Sequence, residues 1–254
     1  MVNDASRLLS DLVATADAAG EVIMKLYGSA DIRAKADASP VTEADEAAEA
    51  LILTRLAELA PEIPVVAEEK TAKGETPEHV GRQFWLVDPL DGTKEFISGN
   101  GEFTVNIALI RDGVPSLGVV GVPAKGLLYA TDGERAWRRR DGVSEDIRAR
   151  HAPDEGLYAA VSRSHLTAET EAYLAAFRIA GQVSGGSSLK FCLVAEGSAD
   201  IYPRFGRTME WDTAAGHAVV RAAGGSVRNV EGEELVYGKP GFENPSFIAR
   251  GAGA

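Results

Sequence analysis

Cysteine is all but absent from this chain: Cys192 is the single one in 254 residues, so no intrachain disulfide can form and no Cys-x-x-Cys pair exists for zinc or redox chemistry. Positive charge is also in short supply. Lys and Arg number 26 against 38 Asp and Glu, a formal net charge of −12, which argues against a nucleic-acid polymer or an anionic membrane surface as the main partner, because both reward excess cations. The four histidines, His79, His151, His165 and His217, are scattered without metal-ligand spacing. No run approaches the roughly 18 continuous apolar residues of a membrane span. The first 27 residues have neither a basic start nor an unbroken apolar stretch, since Asp11, Asp17 and Glu21 interrupt them. Repeats, low-complexity segments and long disordered linkers are missing too. A reducing, cytoplasmic setting is the expectation, with peripheral attachment at the inner membrane face as its one membrane variant.

What is present is ordinary globular material, 45% hydrophobic and 25% charged, enough for one large core or two medium domains. Leu8, Leu9, Leu12, Val13, Ala16, Ala19, Val22, Ile23 and Leu26 recur at three and four, which predicts an amphipathic helix ending near Gly28. A loop with Lys35 and Pro40 follows, and Thr42 opens a second helix to about residue 59. Apolar runs at 63–67 and 84–87 suit buried strands. Between 104 and 131 the pattern turns to antiparallel strands with turns at Asp112-Gly113 and Asp132-Gly133. After a polar break near 151–155, helix and strand alternate: strands at 157–161 and 199–204, helices at 167–177, 188–195 and 212–223. A boundary near residue 150 is expected, giving an N-terminal α+β domain (1–150) and a C-terminal α/β domain (151–254).

The most informative stretch is Asp88-Pro89-Leu90-Asp91-Gly92-Thr93, two carboxylates three apart around a Pro-Leu bend at a strand end. Glu68-Glu69 close another strand, and Asp212 opens a helix. If Glu68, Asp88, Asp91 and Asp212 converge, their mutual repulsion requires cations to offset it. Oxygen-only ligands then point to Mg²⁺, with Mn²⁺ as a substitute, and a pair of such ions suits phosphate-ester hydrolysis. Each site also has a plainer reading. Asp-x-x-Asp-Gly is often a simple turn, Asp212 suits a helix N-cap, and Thr42-Glu43-Ala44-Asp45 fits a capping box.

Taken together, these residues resemble the lithium-sensitive phosphatases of the inositol monophosphatase superfamily. Asp45, Glu68-Glu69, the Asp88–Thr93 stretch, Trp211-Asp212 and Gly224-Gly225 occur in that family's order, over the whole chain. Within it the chain looks most like the bacterial 3′(2′),5′-bisphosphate nucleotidases. The cues are Lys94-Glu95-Phe96, the segment from Asn100 to Leu109, Ser162-Arg163-Ser164-His165, and Gly186-Ser187-Ser188-Leu189-Lys190-Phe191. Inositol monophosphatases have a different segment after their Asp-Gly-Thr.

The resemblance implies a layered αβαβα sandwich, monomeric or homodimeric, that hydrolyses 3′-phosphoadenosine 5′-phosphate to AMP and phosphate and so clears a by-product of sulfate assimilation. It also implies roles. Glu68, Asp88 and the Leu90 carbonyl would hold one Mg²⁺, and Asp88, Asp91 and Asp212 a second. A third is sometimes bound near Glu68 and Glu69. Asp45 with Thr93 would orient and deprotonate the attacking water. The Gly92-Thr93 backbone would cradle the scissile phosphate, while Ser162, His165, Gly186 and Lys190 contact the nucleotide, Lys190 and His165 gripping its second phosphate. Arg204 and Arg207, flanking Gly206, are further candidates for the anionic ligand, the plainer reading being solvated loop charge. The alternatives are an inositol or sugar phosphatase with the same metal acids, and a non-catalytic nucleotide-binding module, which would tolerate loss of acids that are all present here.

Overall fold

The computed structural model describes residues 4–34, 40–162 and 167–253. Helix α1 (Asp4–Leu26) buries Leu9, Leu12, Ala16, Ala19 and Ile23, the stripe spaced by three and four. A two-stranded antiparallel ribbon, β1 (Ile32–Ala34) and β2 (Pro40–Thr42), leads into α2 (Glu43–Leu59). Thr42 caps α2. Its hydroxyl accepts from Ala44 N, and the Asp45 carboxylate returns a bond to Thr42 N.

The first sheet runs in chain order through β3 (Val65–Ala67), β4 (Gln83–Asp91), β5 (Thr104–Arg111), β6 (Val114–Val122), β7 (Leu127–Thr131), β8 (Ala136–Arg140) and β9 (Val143–Asp146). Only β3 and β4 pair in parallel. Two short helices, α3 (Glu68–Ala72) and α4 (Thr93–Ile97), follow β3 and β4. The strand expected to stop at residue 87 runs on through the acids. Asp88 faces Asn106 while Asp91 faces Thr104, so β4 carries one extra residue as a bulge. Pro89 sits inside it, where a missing N–H is tolerated.

The second sheet has the order β11-β10-β12-β14-β13, from β10 (Leu157–Val161), β11 (Ile179–Ser184), β12 (Ile201–Arg204), β13 (Ser226–Asn229) and β14 (Phe247–Arg250). Its helices are α5 (Ala168–Leu174), α6 (Leu189–Ala195) and α7 (Glu210–Ala222). The layers stack as α1 and α2, first sheet, α6 and α7, second sheet, then α5. This is the αβαβα sandwich. One core cluster runs from Val66, Leu86 and Val120 of the first sheet through Phe191, Trp211 and Val219 to Phe247 of the second. Among the described residues no helix is long and apolar enough to cross a membrane.

Two expectations need correction. Helix α7 starts at Glu210, so Asp212 is its third residue and not the N-cap; its carboxylate accepts from the backbone N–H of the capping Met209 at 2.8 Å. Glu68 and Glu69 do not end a strand but form the first turn of α3. Strands β8, β9, β11, β13 and β14 have no counterpart in the sequence expectations, and β1 and β2 fall where a loop is expected. His165 lies outside the described residues, as do Arg163, Ser164 and Lys35.

Candidate active site

The bulge in β4 brings Asp88 and Asp91 to the sheet edge where α3 and α7 begin. Asp88 is buried and accepts from Leu90 N at 3.0 Å across the bulge. Burial, then the charges of Glu68, Asp91 and Asp212, hold Asp88 well above the usual carboxylate range. Asp212 is raised likewise, by burial first and by Asp91 and Glu68 next. Asp91 is raised by burial too, against the Lys190 charge and two hydrogen bonds from Ser188. Four acids from three parts of the chain therefore share one field.

Among the described residues no three His, Cys, Asp or Glu side chains stand together as a finished cation cage. The carboxylates are instead turned onto protein donors: Asp88 onto Leu90, Asp91 onto Ser188 and Asp212 onto Met209. Those donors offset the repulsion only in part, since Asp88, Asp91 and Asp212 all remain raised with them in place. An all-oxygen donor set whose acids are destabilised as anions fits a hard divalent cation.

Asp45 meets Thr93 beside these acids. The Thr93 hydroxyl donates to Asp45 Oδ1 at 3.2 Å, while Oδ2 accepts from Thr42 N at 2.8 Å and Thr42 Oγ1 at 2.6 Å. The capping box and the Thr93 pair thus use different oxygens of one carboxylate. Between Asp91 and Thr93 only glycine fits. Gly92 has φ 93°, and a Cβ there would lie 2.1 Å from Ser187 Oγ. Ser187, itself left-handed at φ 51°, donates to the Asp91 carbonyl at 2.8 Å and closes that turn from above.

The cleft over these groups holds about 240 Å³ and is lined by the acids Glu68, Asp91, Glu95 and Asp212 together with the cations Lys190 and Arg204, whose charges are felt by Asp91 and Asp212 respectively. Lys190 is buried, and its ammonium donates to the carbonyls of Ser187 at 2.8 Å and Gly185 at 3.3 Å. Burial, partly offset by the Asp91 charge, pushes it down to about 8. Arg204 differs: its Nε is buried with no hydrogen-bond partner. The two arginines that the sequence treats alike part company here, because Arg207 lies outside this cleft and pairs with exposed Glu243 at 3.2 Å.

Of the residues singled out from the sequence, Glu68, Asp91, Gly92, Thr93, Ser162, Lys190 and Asp212 line the cleft. Leu90 turns its side chain into the core under α1 and α2. Gly186 is buried against Glu102, where a Cβ would lie 2.5 Å from the Glu102 carbonyl, so it lets two loops meet and forms no wall. Tyr202, Thr208 and Thr213 line the cleft without having been picked out. Ser187 and Ser188 stood inside a quoted motif, and their pairing with Asp91 across the fold is what the motif did not reveal.

The sequence profile of the inositol monophosphatase family matches residues 4–251. The chain belongs to that family. The 3′(2′),5′-bisphosphate nucleotidase CysQ of Escherichia coli O157:H7 is 49% identical to it over 244 residues, covering 94% of this chain and 98% of the relative. Among solved structures, CysQ from Bacteroides thetaiotaomicron, described as a bacterial member of the inositol monophosphatase family, superposes with a TM-score of 0.80 at 41% identity, over 96% of this chain and 97% of its own. An IMPase from Thermotoga maritima gives 0.79 at 26% identity, over 96% and 92%. The layered fold is common to both family members, and the identity separates them.

Proposed function

We propose that this family member is a metal-dependent phosphomonoesterase converting 3′-phosphoadenosine 5′-phosphate to AMP and phosphate. The observation that carries the reading is the mixed lining of one cleft, clustered acids together with an arginine whose Nε is buried and unpartnered. A substrate with one phosphate to cleave and a second to hold suits that lining. The identity order supports the same choice over an inositol phosphatase, 49% with a named nucleotidase against 26% with an IMPase.

Mg²⁺ is the proposed ion. Glu68, Asp88 and the Leu90 carbonyl would hold one, Asp88, Asp91 and Asp212 a second, and Glu68 with Glu69 a third. When bound, the ions neutralise the acids and the ester and ease the ionisation of water. The chain's own residues do the rest. Thr93 donates a hydrogen bond to Asp45 and so turns a lone pair toward the attacking water. As the water oxygen bonds phosphorus, the water proton passes to Thr93 and the Thr93 proton to Asp45; the 3′ P–O bond breaks, its electron pair stays on the 3′ oxygen, and that oxygen takes a proton from solvent water to become the 3′-hydroxyl of AMP. The Gly92-Thr93 backbone cradles the phosphate in flight. Arg204 holds the 5′-phosphate, with the Lys190 charge behind it and Ser162 and His165 completing the nucleotide site. Gly186 brings the Lys190 loop close. A cytoplasmic monomer or homodimer acting on free nucleotide completes the proposal.

Phosphate release from 3′-phosphoadenosine 5′-phosphate, its sulfated analogue and inositol 1-phosphate tests it. The first should be turned over fastest, and chelator should abolish release. Faster turnover of inositol 1-phosphate would overturn the substrate assignment.

A further inference from the structure

Asn106 is buried in the middle of β5, with Val105, Ile107 and Ala108 buried around it, and it is the cross-strand partner of Asp88. Its amide is half used. Nδ2 donates to Ser188 Oγ at 2.9 Å, whereas Oδ1 is buried with no partner. An unsatisfied buried carbonyl costs stability, and an apolar side chain of similar size would avoid that cost. Stability is therefore a poor reason for an asparagine here.

The Ser188 hydroxyl that receives this bond lies at the junction of two proposed cation ligands. It stands 3.0 Å from Asp91 Oδ2 and 2.6 Å from the Asp212 carbonyl, and Ser188 N donates to the same Asp91 oxygen at 2.8 Å. A hydroxyl has one proton and two lone pairs. With Asn106 filling a lone pair, the proton is left facing Asp91 and Asp212, so the serine ties the β4 carboxylate to the first turn of α7. The same serine immediately precedes α6, which carries Lys190, so the tie also joins these acids to the helix that bears the cleft's buried lysine.

We infer that Asn106 is a positioning residue: acting through Ser188, it fixes Asp91 against Asp212 and thereby sets the affinity of that pair of acids for a divalent cation. The inference rests on the metal role proposed for those acids. Partners one bond removed from a metal ligand commonly change affinity by about 10- to 100-fold when lost, since the ligand must then be ordered by the ion itself.

The test is a calorimetric titration with Mn²⁺, alongside urea unfolding in EDTA, on wild type, Asn106→Leu, Ser188→Ala and the double variant. Asn106→Leu should weaken Mn²⁺ binding in at least one step of the titration by about 10-fold or more while the metal-free unfolding midpoint holds or rises. The double variant should bind as Ser188→Ala does, because the two residues act in series. Wild-type affinity in Asn106→Leu, or losses that add in the double variant, would overturn the inference. Should Asn106→Leu not fold, Asn106→Ala removes the same donor and is read in the same way. If wild type itself takes up no Mn²⁺, the metal reading fails, an outcome distinct from equal binding by wild type and variant.

Discussion

Asp45 divides its carboxylate, with Oδ2 in the capping box of α2 and Oδ1 receiving the Thr93 hydroxyl, so removal of the whole side chain confounds two effects. Asp45→Asn separates them. The amide oxygen can still accept from Thr42, but no carboxylate remains to take a proton. Its kcat should fall by about 10²–10⁴, while the unfolding free energy falls by less than the ~1 kcal/mol typical of a lost cap. Near-normal turnover with lowered stability would leave Asp45 a cap and nothing more. Elsewhere in the cleft lining, Arg204→Ala should lower kcat/KM for the bisphosphate about 10- to 150-fold, the equivalent of ~1.5–3 kcal/mol for charge-assisted hydrogen bonds. The loss should fall mainly on KM, because the 5′-phosphate is gripped equally in ground and transition states. An ester without a second phosphate should be cleaved as before. Lys190, whose ammonium is taken up by two carbonyls, should affect both substrates when replaced. The opposite pattern, selective loss in Lys190→Ala and none in Arg204→Ala, would return the anchoring role to the lysine.

Helix α7 shows why some elements are legible in a sequence and others are not. Helix α1 keeps a solvent face, so its apolar residues recur with helical spacing and its C-terminal end is found within two residues, while α2 is marked by its capping Thr42 and by Pro61 beyond its end. By contrast α7 lies between the two sheets, beside α6, and buries Thr213, Gly216 and His217 along with its apolar residues. No stripe remains to read, and its start was misplaced by two residues. Strand β8 fails for another reason. Arg138 and Arg139 lie along it, neutralised by Glu145, Glu196 and Asp17 from elsewhere in the fold, so no apolar alternation marks it. The acid motif was legible because it is contiguous, whereas the Ser188 to Asp91 bond spans 97 residues. Close approach of α7 also yields a prediction. A Cβ on Gly216 would lie 2.6 Å from the Phe191 ring of α6, and one on Gly118 of β6 would lie 2.7 Å from the Ala215 carbonyl. Gly216→Ala should therefore destabilise the protein by about 1–3 kcal/mol through overpacking, despite the better helix propensity of alanine. An unchanged urea midpoint would show that Phe191 gives way freely.

Over the whole molecule, two kinds of buried titratable group act on stability with opposite sign. Asp88 and Asp212 are held well above the ordinary carboxylate range by burial and neighbouring acids. A raised acid keeps in the folded state a proton that the unfolded chain has released, so without metal each removes stability as pH climbs from about 3.9 through its folded value. His217, hydrogen-bonded to the Tyr237 hydroxyl at 3.0 Å, works the other way: burial pulls it down to about 3, helped by the Arg221 charge. The unfolded chain, with a histidine near ~6.5, then binds the extra proton, and stability rises with pH across that window and levels off above it. A divalent cation relieves only the acids. It competes with their protons, so its stabilisation, about 2.7 kcal/mol at a hundred-fold excess over Kd, should grow as pH rises from about 5.5 to about 8. Because His217 contributes equally with and without the ion, subtracting unfolding free energies in EDTA from those in Mg²⁺ at each pH cancels its contribution and isolates the acids. An increment that stays flat over that range, or shrinks toward its alkaline end, would mean that the ion stabilises the protein from somewhere other than the buried carboxylates.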